Sequence, residues 1–433
     1  MEREERRRKR KKDTRNALIV FFVLLIVAAI LVFGMVYMAN RYLEERKNNQ
    51  GEVQTEQTEN VGDTEDTSVP DETEAEPEPV DPWLEQAKTF VAGMTLEDKI
   101  AQMFLITPNA LTGYTTVTVA GDTTKEFYNK RPVGGLIYME SSLQGREQTT
   151  EMLTKMQAIA KERTGLPAFL GVDEEGGTVT RIAGNDAFGV TDVGNMSDVG
   201  TTGDTQNAYN AGAVIGSYLR ELGFNLDFAP VADVLTNPDN TVIGKRSFGS
   251  DSQLVAEMVA SELQGLSDQG ILGVVKHFPG HGGTTEDTHE GEAVSNQTLE
   301  ELFATELVPF QKAIDAGTHF VMVGHISLPN VTGDNVPATL SKTMVTDVLR
   351  EQMGFDGIII TDGMNMGAIT DRYTADQAAI MAVQAGVDMI LMPQDYEMAY
   401  NALLAAVNNG AISCEQIDES VARIVRVKLQ MNE

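Results

Sequence analysis

Three of the chain's five histidines fall inside "KHFPGHGGTTEDTH" (276–289), and the other two, His319 and His325, follow within 36 residues. Imidazoles crowded in this way can hold a metal, carry protons, or pack as buried hydrogen-bonding groups. His277 and His281 are four apart, a spacing that on a helix would put both on one face, as zinc ligands often are. Pro279 and Gly280 stand between them, so the segment does not read as a helix, and no HExxH pattern is present. Metal ligation is therefore the weaker reading, and no metal and no cofactor are expected. "EDTH" places Asp287 two residues before His289. In an extended loop that spacing lets a carboxylate reach the imidazole and set its tautomer. The glycine-rich "GHGGTT" just upstream reads as mobile, so the pair resembles a titrating dyad on a lid. A plain solvent-exposed Asp and His is the alternative.

Groups of this kind need elements to hold them. Eight apolar runs recur along the chain: 103–107, 134–139, 168–173, 224–234, 273–278, 319–326, 357–362 and 389–393. Most lack polar alternation, as expected of parallel strands covered on both faces. Amphipathic stretches separate them, such as 208–223 and 375–386, the latter ending in glycine, a common helix stop. The expected fold class is α/β, a (β/α)8 TIM barrel. An open doubly wound sheet is the rival, but "MFLITPNALTG" has no glycine-rich phosphate loop after the first strand. In a barrel, reactive groups sit at the C-terminal strand ends. Asp173, Asp233, Lys276, His277, His325 and Asp362 each arrive there, at or just after an apolar run. One such residue would read as a loop anchor; so many around one mouth point to a site.

Residues 17–39 carry no charge, and at about 1.5 Å per residue they would span roughly 35 Å, enough to cross a bilayer. "RRRKRKK" precedes them, which predicts a cytoplasmic segment (1–16), a transmembrane signal anchor (17–39), and everything after it outside. The cell membrane is thus the expected location, with a single pass and an extracellular domain. Residues 40–82 are acidic and proline-bearing, with few large apolar side chains, and read as a disordered linker. The globular part is expected over 83–433, as a monomeric catalytic domain without a second domain. Net charge is −31, which argues against nucleic acid as a partner. Cys414 is the only cysteine, so no internal disulfide can form.

"KHFPGHG" followed by "DTH" resembles the signature of glycoside hydrolase family 3, in particular its β-N-acetylglucosaminidases. "VDEEGGTVTRI" (172–182), "LDFAPVADVLTNP" (226–238), "VIGKRSFGSD" (242–251), "PATLS" (337–341) and "GFDGIIITDGMNM" (354–366) match the same pattern in order. The resemblance covers about residues 90–430. It implies a (β/α)8 barrel and a retaining double displacement at a terminal β-linked N-acetylglucosamine. It implies Asp362 as nucleophile, His289 as general acid/base and Asp287 as its partner. Asp173, Arg181, Arg246, Lys276 and His277 would line the sugar site, with Lys276 and Arg246 keeping Asp362 ionised. Two-domain β-glucosidases of the family draw a glutamate acid/base from a second domain; here the loop dyad takes that place. Three positions depart from the family pattern: Gly363 where a second aspartate is common, Thr178 where arginine is common, and Thr288 where serine is usual.

The expected function is an exo-acting β-N-acetylglucosaminidase working on cell-wall-derived or related glycans, anchored in the membrane by the N-terminal helix. A phosphorylase or β-glucosidase of the same family is the alternative, since a histidine acid/base does not repel phosphate as a carboxylate would. A surface-anchored, non-catalytic glycan binder is the alternative of another class.

Overall fold

The structure is a computed structural model and describes residues 81–284 and 291–431. The expected membrane span and all but the last two residues of the expected linker lie outside the described residues, as do Asp287 and His289. Among the described residues no helix is long and apolar enough to cross a membrane. The linker boundary needs a correction of two residues. Asp81 caps a helix over Pro82–Ala92, its carboxylate accepting the Trp83 N–H at 2.9 Å, with proline at the first helical position where its missing N–H costs nothing.

Eight strands of the main sheet follow the eight apolar runs in order. They are β1 (Phe104–Ile106), β2 (Gly135–Ile137), β3 (Phe169–Val172), β4 (Leu226–Asp227), β5 (Leu272–Phe278), β7 (Phe320–Val323), β9 (Ile358–Thr361) and β10 (Ile390–Leu391). Two further short strands, β6 (Ala293–Val294) and β8 (Ile326–Ser327), pair with each other. In the main sheet every pair is parallel, and the order runs β10-β1-β2-β3-β4-β5-β7-β9. A parallel bridge between Ile360 and Met389 joins the two ends, and the Thr361 N–H donates to the Met389 carbonyl at 3.0 Å. The eight-stranded sheet therefore closes into a barrel, and among the described residues it has no free edge strand.

The barrel is filled rather than hollow. Phe169 on β3 and Phe320 on β7 belong to strands that are not neighbours, yet their rings meet edge to face at 5.1 Å. Helices cover the outside, including Thr205–Leu222, Ser252–Asp268 and Ala375–Ala385. The last of these stops at Gly386, whose φ of 106° suits glycine. The helix Cys414–Gln430 closes the base, where Lys428 donates to the Gln102 side chain and to the Gly134 carbonyl, both at 2.7 Å. Asp388, also at this end, takes Arg350 at 2.6 Å and Arg423 at 3.0 Å. The base is thus occupied by structural contacts, and the opposite mouth is left for chemistry.

Candidate active site

Asp362 follows the last residue of β9, and its N–H donates to the Val323 carbonyl at 2.9 Å, so the β-ladder itself fixes where the carboxylate starts. The Gly363 N–H donates to its Oδ1 at 2.7 Å. Burial works against its charge, but the imidazoles of His277 and His325, the Gly363 N–H and the Lys276 ammonium outweigh burial and hold the carboxyl below its ordinary range. Lys276 thus helps keep Asp362 ionised, as expected, while the part expected of Arg246 needs correcting. The two imidazoles contribute more than Lys276, and Arg246 is engaged elsewhere.

Arg246 forms a fork with Glu175, Nε to Oε2 at 2.7 Å and Nη2 to Oε1 at 2.8 Å. Lys276, at the end of β5, places Nζ 2.6 Å from the same Glu175 and 3.1 Å from Asp173 Oδ1. Glu175 is 2% exposed, and Arg246 and Lys276 together overcome its burial and hold it ionised, well below the carboxylate range. Asp173, just past β3, keeps a fifth of its side chain exposed and lies 4.0 Å from Arg181. Asp173, Arg181, Arg246, Lys276 and His277 are therefore brought together on the same rim as Asp362.

The histidines divide. His277 Nδ1 lies 2.7 Å from Asp233 Oδ2, and its Nε2 lies 3.4 Å from Arg246 Nη2. Asp233 thus takes the hydrogen on Nδ1, and Nε2 faces the Arg246 guanidinium. His325 Nε2 is 3.0 Å from the Gly363 carbonyl, which can only accept, so that nitrogen carries a hydrogen. Thr339, from "PATLS", holds the other ring nitrogen at 2.8 Å. Thr339, His325 and Gly363 thus form a brace behind Asp362. His281 packs edge-on to His277 at 6.1 Å, its Nδ1 on Thr284 at 2.6 Å. His319, by contrast, precedes β7 and lies at the barrel's base. Among the described residues, no three His, Cys, Asp or Glu side chains are grouped to hold a metal.

The glycines of "GHGG" call for another correction. They read as mobility, but a Cβ at Gly282 would lie 1.9 Å from the Val234 carbonyl, and one at Gly280 2.8 Å from Glu306. Asn240 donates to the His281 carbonyl at 2.8 Å, and Asn237 to the Thr284 carbonyl at 3.1 Å. These glycines allow close packing of the segment that leads to the dyad. Sequence reasoning also missed Glu175 and left Asp233, His325 and Thr339 without roles. Each lies in a stretch already singled out; what gives it a role is its partner, which comes from another strand.

Behind Lys276 a further acid is enclosed. Glu262, on the helix Ser252–Asp268, is fully buried, and neither carboxyl oxygen has a hydrogen-bond partner. Burial, and after it the Glu175 carboxylate, push its carboxyl up to about 8, against an unfolded value near 4.5. Between these values the folded chain holds a proton that the unfolded chain releases, so this group's contribution to stability is present below about pH 4.5 and lost as pH rises through 8. Glu262→Gln is expected to gain on the wild type as pH rises from 5 to 8, read from paired thermal melts. Parallel melting curves across that range would contradict the assignment.

A model of the glycosyl hydrolase family 3 N-terminal domain matches residues 95–427. The chain is 38% identical over 271 residues to the β-hexosaminidase LpqI of Mycobacterium tuberculosis, covering 61% of this chain and 68% of that one. It is 32% identical over 330 residues to β-hexosaminidase A of Pseudoalteromonas piscicida, covering 71% of this chain but only 55% of the relative. Among solved structures, a family 3 β-N-acetylglucosaminidase from Paenibacillus sp. str. FPU-7 superposes with a TM-score of 0.73 at 38% identity, over 79% of this chain and 64% of that one. The chain thus spans little more than half the length of one relative and just under two thirds of that structure. With a closed parallel barrel and a carboxylate held ionised at the end of its seventh strand, and with the family model matching 95–427, the chain belongs to glycosyl hydrolase family 3.

Proposed function

We propose that the chain is a retaining exo-β-N-acetylglucosaminidase that releases terminal β-linked N-acetylhexosamine from cell-wall-derived or related glycans. The observation that carries this reading is Asp362, kept ionised by imidazoles and an ammonium on the rim that Asp173, Lys276 and Arg181 share. Asp362 Oδ2 attacks the anomeric carbon, the glycosidic C–O bond breaks, and His289 protonates the departing oxygen. Water, deprotonated by His289, then displaces Asp362 and restores the β configuration. A histidine suits both steps, because its ordinary pKa lies near neutral pH and Asp287 steadies the charged form. Asp173 accepts from sugar hydroxyls, Lys276 and Arg181 donate to them, and His277 is held in place by Asp233. Residues 17–39 anchor the chain in the membrane, with 1–16 inside and the barrel outside.

The names of the relatives support the sugar, and the paired roles of Asp362 and His289 follow from the motif match. A panel of aryl β-glycosides, run with and without phosphate on the wild type and on His289→Ala, tests the reading. Preference for N-acetylglucosaminide over glucoside, and free sugar as product even with phosphate present, are expected. His289→Ala should lose far more on poor leaving groups than on nitrophenolates, which depart without a proton. A sugar phosphate as main product, or equal losses on all leaving groups, would contradict it.

A further inference from the structure

The loop after β1 stands on the same face as Asp362, because all eight strands are parallel and both segments leave C-terminal strand ends. β10 alone separates β1 from β9 in the closed order. On this loop Tyr114 is 59% and Val119 66% exposed, while Val117 and Ala120 between and beside them are buried. A single exposed apolar side chain is ordinary on a protein surface. Two within six residues, on a buried footing at the C-terminal face of the barrel, form a small platform.

A line of contacts joins this platform to the sugar-site residues. Arg181 lies 4.0 Å from Asp173 and 3.7 Å from Glu140, at the start of the loop after β2. Two residues on, the Ser142 carbonyl accepts from Gln148 Nε2 at 3.1 Å, and the same nitrogen donates to the Thr118 carbonyl at 2.5 Å. Asn109 ties the Thr115 carbonyl at 2.6 Å. The loop is held at its tip from both sides, so Tyr114 is offered on a fixed backbone.

We propose that Tyr114 and Val119 form a subsite for the leaving-group sugar of a neutral glycan. This rests on the reading of the site as an exo-β-N-acetylglucosaminidase. A pyranose presents a flat array of C–H bonds that stacks on an aromatic ring, with hydroxyls left to meet polar neighbours. Thr115, Thr116 and Thr118 supply those neighbours, and the loop from 113 to 121 carries no charge, which suits a neutral sugar.

The test uses the full chain and two substrates, the β-1,4-linked disaccharide of N-acetylglucosamine and the methyl β-glycoside, which has no leaving-group sugar. Tyr114→Ala is expected to lower kcat/KM about tenfold on the disaccharide, the scale of one lost stacking contact, and to leave the methyl glycoside within about twofold. Tyr114→Phe keeps the ring and should keep the wild-type ratio between substrates. Val119→Asn should lower the disaccharide value selectively as well. Unchanged disaccharide turnover in Tyr114→Ala, or equal losses on both substrates, would overturn the subsite while leaving the enzymatic reading intact. A wild type that cleaves neither substrate would overturn both.

Discussion

Asp362→Asn is expected to lower kcat by on the order of 10^4–10^6-fold, the scale seen when a covalent nucleophile is removed from an otherwise intact site. Asparagine has nearly the same shape and can still accept from the Gly363 N–H, so the β9 end should keep its geometry. What is lost is the negative charge that His277, His325 and Lys276 maintain. Binding of N-acetylglucosamine, measured calorimetrically, should change by no more than a few fold, because Asp173, Lys276 and Arg181 remain. A variant within about tenfold of wild-type turnover would be incompatible with the nucleophile assignment.

Glu175→Ala is expected to destabilise the fold by about 3–5 kcal/mol, since removing one partner of a buried ion pair leaves the other charge uncompensated. Here two cations are left: Arg246, which loses both prongs of its fork, and Lys276, which keeps only Asp173 at 3.1 Å. Both then pull on Asp173 and disturb a group proposed to bind the sugar, so kcat/KM should fall by about 10²-fold in the fraction that folds. Urea titration gives the stability change and active-site titration corrects the rate. Glu175→Gln, which keeps the shape but not the charge, should fall between. A Glu175→Ala protein as stable as the wild type would show that the pairs seen around this carboxylate contribute nothing.

The barrel was legible in the sequence because each strand is buried on both faces and reads as a short apolar run. Its parallel order followed from the alternation with amphipathic stretches, and the site's position from polar residues arriving where the runs end, Asp173 after β3, Lys276 and His277 at the end of β5, Asp362 after β9. Pairing was not legible. Glu175 meets Lys276 and Arg246 across 101 and 71 residues of chain, and nothing local in "VDEEGG" distinguishes the carboxylate left partly exposed at the rim from the one neutralising its neighbours. Glu174, the middle acid of the three, does something different again. It accepts the N–H groups of Arg181, Ile182 and Ala183 at 2.6–2.8 Å and so holds the Arg181 loop in place. Glycine was misread for a related reason. At Gly282 the deciding contact is a carbonyl from the loop after β4, so a residue that looks like freedom in the sequence is a tight fit in space.

The proposed mechanism requires a covalent bond between Asp362 and the sugar, and trapping that bond is the most direct measurement. An activated 5-fluoro N-acetylglucosaminyl fluoride, which forms the glycosyl-enzyme faster than water can release it, should add one sugar mass to the chain. Peptide mapping should locate it on Asp362 in "GFDGIIITDGMNM". A stoichiometric adduct on a different side chain, or turnover of the reagent with inversion at the anomeric carbon and no adduct, would contradict the account.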